Sequence, residues 1–386
     1  MTGTREHAAR QRERDAPPTI EGLREFPKAK FTTGWVRVHT GELREEAKLD
    51  LPPGIAYFLN QLSLLLLPLG SHFSLTSLAS ALVIAVAFVA YRRWRRHRRI
   101  RLRTIARALF PRRILLSPSN FADLGYLFFH VFLAGLLFGW ATLSFQFLTN
   151  GIMGALTAAF GPVAPTALPA FVARSVVTVM LFLAYELGYW LNHYLSHRVP
   201  FLWEFHRVHH TATVLTPVTN FRVHPVYTFV FVNILAIATA TANGIGNYMF
   251  GETAYQYAFS GTNIILVLFI HTYVHLQHTE LWIPFSGALG RVFMSPAHHQ
   301  VHHSTDPAHF DKNMGSCLAL WDWMFGTLYV PGKEPEKLSF GVEPDNAAVH
   351  TITGAYIDPF YRAAALVRGA LQRQTPVPSL RDAPKT

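Results

Sequence analysis

Six apolar runs separated by short polar breaks decide what this chain can fold into. The longest, FADLGYLFFHVFLAGLLFGWATLSFQFL at residues 121–148, exceeds the length that crosses a bilayer. Half of the 386 residues are hydrophobic and 15% are charged, against about 25% in ordinary soluble domains. A single water-soluble core cannot absorb that much apolar surface, so an all-α integral membrane protein is expected. It would have about five or six spans or re-entrant segments.

Charge orients the runs. Residues 92–113 hold eleven arginines and no acid, leaving 23 basic and 23 acidic residues elsewhere. A basic block directly after an apolar run marks a cytosolic end, with added attraction to anionic lipid headgroups. No aromatic-interleaved motif accompanies it, so no nucleic acid partner is expected. Runs 55–70 and 75–91 are each slightly short of a span, giving a hairpin of two spans or one re-entrant and one spanning segment. Run 121–148 then leaves the arginine side, and the charge-free stretch 149–168 fits an extracytoplasmic loop. Run 169–191 returns, 226–245 goes out, and 255–276 comes back, so His193 and everything after about residue 276 are placed in the cytosol. Residues 1–50 mix both charge signs without an apolar core, which reads as a cytosolic tail and not a signal peptide. The lone cysteine, Cys317, rules out an intramolecular disulfide and a thiolate cluster.

Thirteen of the twenty histidines fall between residues 193 and 303, at regular spacings. HYLSH sets His193 and His197 at i and i+4, and HTYVH does the same for His271 and His275. HRVHH sets His206, His209 and His210 at i, i+3 and i+4, and HQVHH repeats this with His299, His302 and His303. These offsets share a helix face. So many clustered neutral imidazoles would leave buried donors and acceptors without partners. Two metal ions with about five nitrogens each resolve this, and imidazole suits iron, zinc and copper alike. The two H-x2-HH units are expected to be halves of one dinuclear site, each presenting three nitrogens from one turn, with the other histidines completing it.

The H-x3-H, H-x2-HH, H-x2-HH series resembles the fatty acid hydroxylase/sterol desaturase superfamily of integral-membrane, non-haem di-iron enzymes. LWEFHRVHH, RVHP and SPAHHQVHHSTDPAHFDKNMGSCLALWDWMFGTLYVP extend the match, from about residue 121 to 331. The resemblance implies two iron ions held by His193, His197, His206, His209, His210, His299, His302 and His303, with His271 as a further helix-borne ligand; the spacing adds His275. It implies a lipid substrate, O2 as co-substrate and a separate electron-donor protein of reductase, ferredoxin or cytochrome type. Domain bounds follow: a tail at 1–50, a hydrophobic hairpin with the arginine segment at 51–113, the catalytic domain at 114–335 and a C-terminal tail at 336–386. Glu186 stands where many members carry aspartate, two helical turns before His193, and is expected to orient a ligand imidazole. The family frame assigns no place to His278 or His298. Arg222 and His224 read as bracing the helix start at Pro225, Asn313 and Asp322 as fixing the fold, and Trp321, Trp323 and Phe325 as interfacial anchors.

Breaking an unactivated C–H bond needs an oxidant that side chains do not supply, so the redox chemistry would belong to metal and dioxygen. The product would be an alcohol, or an alkene if a second hydrogen is removed. A histidine-rich transporter or channel is the alternative, and a bis-imidazole haem protein a further one. Transport sites sit near the bilayer midplane, whereas these histidines fall at helix ends. The H-E-x-x-H of zinc proteases is absent.

Overall fold

The computed structural model describes residues 51–374 apart from 136–138, 140–142, 164–167, 252–254 and 343–346. The expected tail at 1–50 lies outside the described residues. The described chain is helical, with a single two-stranded antiparallel ladder pairing Ala258–Phe259 with Thr262–Asn263.

The first two apolar runs become α1, Pro53–Leu66, and α2, Leu75–Arg95. The Ser74 side chain starts α2 by accepting the Ser77 N–H, satisfying a donor the first turn leaves unpaired. Arg92, Arg93 and Arg95 end it, where cations meet the negative end of the helix dipole. At about 1.5 Å per residue only α2 approaches the roughly 30 Å of a hydrocarbon core. A short helix, α3, Leu102–Leu109, follows within the arginine block.

Residues 121–148 are not one crossing helix. The chain forms α4, Pro118–Phe129, then a π-helical turn, His130–Ala134. A new helix, α5, Phe145–Phe160, starts where the Ser144 side chain accepts the Phe147 N–H. Much of the charge-free stretch 149–168 is therefore helix and not loop. Hydropathy records apolar content but not where a serine caps a fresh turn.

α6, Ala170–Arg198, and α7, Pro200–His210, meet at an abrupt corner. Val199 is extended, with φ −96° and ψ 111°, because proline disfavours helical backbone in the residue before it. Pro200 in turn suits the first position of a helix. α8, Pro225–Phe250, begins with His224 Nδ1 accepting the Val226 N–H at 3.1 Å. α9, Ile264–Phe269, passes through a π-helical turn, Ile270–Val274, and ends at His275–Gln277. Among the helices that follow are α10, Pro296–His302, α11, Leu320–Phe325, and α12, Asp358–Gln374.

α2, α6 and α8 are long and apolar enough to cross a membrane. α8 packs closely on its neighbours through glycine: a Cβ on Gly244 would stand 2.7 Å from Ile152 of α5, and one on Gly188 of α6 would stand 3.1 Å from Ala238. Small residues permit such approach where lipid supplies no hydrophobic drive between helices. Phe182 of α6 packs with Leu266, Phe269 and Ile270 of the α9 segment and with Cys317 and Leu318. This cluster fixes the C-terminal half of α6 against the segment that leads to α11. Large apolar side chains such as Val83, Phe147 and Phe171 point outward, as a lipid-facing surface requires.

Candidate metal centre

The corner at Val199 turns α7 back along the last two turns of α6. His197 comes within 4.9 Å, ring centre to ring centre, of both His206 and His210. α10 arrives from the other side: the His302 ring is 4.5 Å from His193 and 4.8 Å from His210. Its start is set by a reciprocal cap in which the Ser295 side chain accepts the His298 N–H and the His298 ring accepts the Ser295 N–H.

Nine histidines, eight buried and His197 half-buried, form two groups in which the ligand-capable atoms lie within 4.8 Å of one another. The first holds His193, His197, His206, His210 and His302, and the second His209, His278, His299 and His303. Each H-x2-HH unit is divided between them. α7 gives its i and i+4 imidazoles to the first group and its i+3 imidazole to the second; α10 with its C-cap His303 does the reverse. The two groups adjoin, with the His210 and His303 rings 4.7 Å apart.

Backbone carbonyls fix the tautomers. His193 Nδ1 lies 2.8 Å from the Met314 oxygen, His302 Nδ1 2.8 Å from that of Lys312, and His209 Nδ1 3.2 Å from that of Arg222. A carbonyl only accepts, so each Nδ1 carries the proton and each neutral ring offers a bare lone pair at Nε2. The Nε2 atoms of His193, His197 and His302 have no hydrogen-bond partner among the described residues. In the second group His278 Nε2 is 2.9 Å from His299 Nε2 and 3.2 Å from those of His209 and His303. Ring nitrogens this close are held together either by a shared proton or by a cation among them. Tetrahedral metal–nitrogen bonds of about 2.0–2.1 Å would set the nitrogens about 3.3 Å apart, so the residues fit a metal. Burial, reinforced by neighbouring histidines, holds His206, His210, His278, His299 and His303 well below the usual imidazole range. It brings His209 down to about 3 and His302 down to about 4. The imidazoles are thus neutral at pH 7, the form that binds metal.

Residues 311–318 hold the first group from outside. Besides the Lys312 and Met314 carbonyls, Asp311 Oδ1 stands 3.5 Å from His197 Nδ1. Asp322 anchors this segment by accepting the Met314 and Gly315 N–H groups, both at 2.8 Å. Asn313, in the left-handed region at φ 58°, donates to the His298 carbonyl and accepts from the Tyr329 N–H. Glu186 reaches no imidazole. Its Oε2 accepts the N–H groups of Cys317 and Leu318 at 3.0 and 2.8 Å, so it positions His193 only through the segment carrying the Met314 carbonyl. On the other flank, fully buried Arg222 pairs with fully buried Asp123 at 2.5 Å and bonds Thr211, fixing the carbonyl that receives His209.

His271 and His275 stand outside both groups. His271 Nε2 lies 3.1 Å from Thr76 Oγ1, and His275 Nε2 lies 3.1 Å from Ser77 Oγ, so both tie α9 to α2. His278, to which the family frame assigned no place, takes a place in the second group. His298 Nε2 lies 3.0 Å from the Gly290 carbonyl, which joins it to the cap of α10 and not to a metal. Trp323 and Phe325 are exposed. Sequence reasoning missed Asp123, Asp311, Lys312 and Met314. A lone carboxylate inside an apolar run was the available signal for Asp123; the Lys312 and Met314 contacts use backbone and leave none.

Residues 178–327, which contain all nine histidines, match the fatty acid hydroxylase family model. The alkylglycerol monooxygenase of Caenorhabditis elegans is 31% identical over 144 residues, 37% of this chain and 25% of the relative. That of Homo sapiens is 29% identical over 164 residues, 42% of this chain and 32% of the relative. The ornithine lipid hydroxylase OlsE of Rhizobium tropici is 27% identical over 158 residues, 41% of this chain and 43% of the relative. The matched part thus spans less than half the length of each of these relatives. No solved structure matches the chain.

Proposed function

We propose that the chain, whose residues 178–327 match the fatty acid hydroxylase family model, is an integral-membrane di-iron oxidoreductase of that superfamily that hydroxylates a lipid C–H bond with O2. The observation that carries this reading is the pair of adjoining groups of nitrogen lone pairs, five and four histidines strong. His193, His197, His206, His210 and His302 would hold one ion, and His209, His278, His299 and His303 the other. Together the ions would supply the redox chemistry that activates O2, which no side chain here can provide. The chain's own part is preorganisation. Carbonyls of Lys312, Met314 and Arg222 keep the Nε2 lone pairs pointed inward, Glu186 and Asp322 hold the supporting segment, and burial keeps the imidazoles neutral and water out.

The relatives act on alkylglycerols and an ornithine lipid by name, which favours hydroxylation over desaturation and a substrate with a polar head. We assign the catalytic domain to residues 114–335. Electrons would come from a separate protein of reductase, ferredoxin or cytochrome type. The metal groups would face the cytosol: the arginines ending α2 share a cavity with residues 280–282, just beyond His278, which puts them on the basic side. Metal analysis of the purified protein, with lipid mass spectrometry of cells carrying an active or an inactive copy, tests the reading. It expects about two iron ions per chain and an oxygen-dependent gain of one hydroxyl on a lipid. Full turnover by metal-free protein would refute it.

A further inference from the structure

The arginine block does more than end a membrane helix. Arg92, Arg93, Arg96 and Arg98 line a cavity of about 430 Å³. Its one carboxylate, Glu280, is already ion-paired with Arg113. No described Asp or Glu pairs with any of the four lining arginines. The Arg93 guanidinium is held by two bonds to the Arg99 carbonyl, at 3.0 and 2.8 Å. Four like charges around one cavity repel one another, and a compact anion relieves this while meeting the forked N–H donors that arginine presents.

The rest of the lining is apolar. Phe88 and Val89 come from α2, with Leu281 and Trp282 opposite. The Trp282 indole is itself fixed, donating to the Gly332 carbonyl at 3.1 Å. Tyr91 and Trp94, in the same last turns of α2, are exposed, as aromatics are where a bilayer meets water. The cavity thus has cationic and apolar walls side by side. That pairing matches an amphiphile with a phosphate head.

We infer that this cavity binds the phosphate of an anionic membrane lipid, with Arg92, Arg96 and Arg98 on the phosphate and Phe88 and Trp282 against the adjoining chains. The site lies apart from the nine histidines and does not depend on the reaction proposed for them. Its wall leads to the second metal group, because Gln300 of α10 donates to the Thr279 and Leu281 carbonyls at 2.6 and 2.9 Å.

Calorimetric titration of the detergent-solubilised full chain tests this with three probes: dihexanoyl phosphatidylglycerol, dihexanoyl phosphatidylcholine and inorganic phosphate. Phosphatidylglycerol should bind saturably and about tenfold or more tighter than phosphatidylcholine. The Arg92→Gln/Arg96→Gln/Arg98→Gln variant should weaken it about tenfold or more, while Arg103→Gln/Arg107→Gln/Arg112→Gln, which removes the same charge outside the cavity, should not. Unchanged circular dichroism and thermal unfolding show that each variant is folded. Inorganic phosphate binding as tightly as phosphatidylglycerol would overturn the lipid assignment and identify free phosphate as the ligand. Equal weakening in both triple variants, or equal affinity for the two lipids, would overturn the inference.

Discussion

His209 and His210 are neighbours in sequence and belong to different nitrogen groups. The His210 ring lies 4.8 Å from His302 in the first group, and the His209 ring 4.6 Å from His303 in the second. Successive helical residues point about 100° apart, so an HH pair can serve two adjoining ions at once, whereas i and i+4 converge on one. The same logic runs in reverse on α10.

Histidines outside the groups should be dispensable for metal. His271→Ala and His275→Ala are expected to retain about two ions per chain, because their rings bond Thr76 and Ser77 of α2. His278→Ala should lose about one ion. Metal analysis of the three variants checks this, and loss of metal in His275→Ala with retention in His278→Ala would reverse the assignment.

Glu186 acts through backbone, so the kind of replacement matters. Glu186→Gln keeps an oxygen that can accept from Cys317 or Leu318 and should hold metal within a few-fold of the parent. Glu186→Ala strands two buried N–H groups, each costing about 1–3 kcal/mol, and should lower metal affinity about 10–100-fold. A competition titration with a chelator reads both, and equal losses would point to a direct contact with an imidazole.

Asp311 stands beside His197 and also pairs with Arg198 at 3.1 Å. Asp311→Ala should weaken metal binding about 10–100-fold with little change in fold, since the carboxylate is partly exposed and orients a ligand from outside. Circular dichroism alongside metal titration separates the two effects.

Acid should destabilise the site. His209 and His302 are held at about 3 and about 4 in the folded chain, against about 6.5 when unfolded. Between those values the unfolded chain binds more protons, so stability is complete above pH 6.5 and is lost as pH falls from there toward 4. Protons also compete with metal for the same nitrogens. Thermal unfolding and metal retention measured at pH 7.5 and 5.5 should both decline at the lower pH; a flat profile contradicts the burial argument.

Spacing made much of the site legible. Offsets of three and four identified eight of the nine grouped histidines, because helical period alone decides which imidazoles share a face. His278 escaped although it continues the period of His271 and His275 at i+7, because the resemblance assigns no ligand there and it lies just past the last turn of the α9 segment. His271 and His275 have the correct period on a helix whose histidine face meets α2. The π-helical turns at 130–134 and 270–274 had no hydropathy signal, and the break before α5 depends on one capping serine. Partners that act through carbonyls, such as Met314 and Lys312, are set by tertiary packing and leave no residue-type trace.

The crosswise division of the two triplets is tested most directly by counting metal in two double variants. His206→Ala/His302→Ala removes two ligands of the first group and should leave about one ion per chain. His206→Ala/His299→Ala removes one ligand from each group and should weaken both ions, leaving well under one. If each triplet instead bound its own ion, both variants would strike both sites and show the same loss, and that equality would contradict the account.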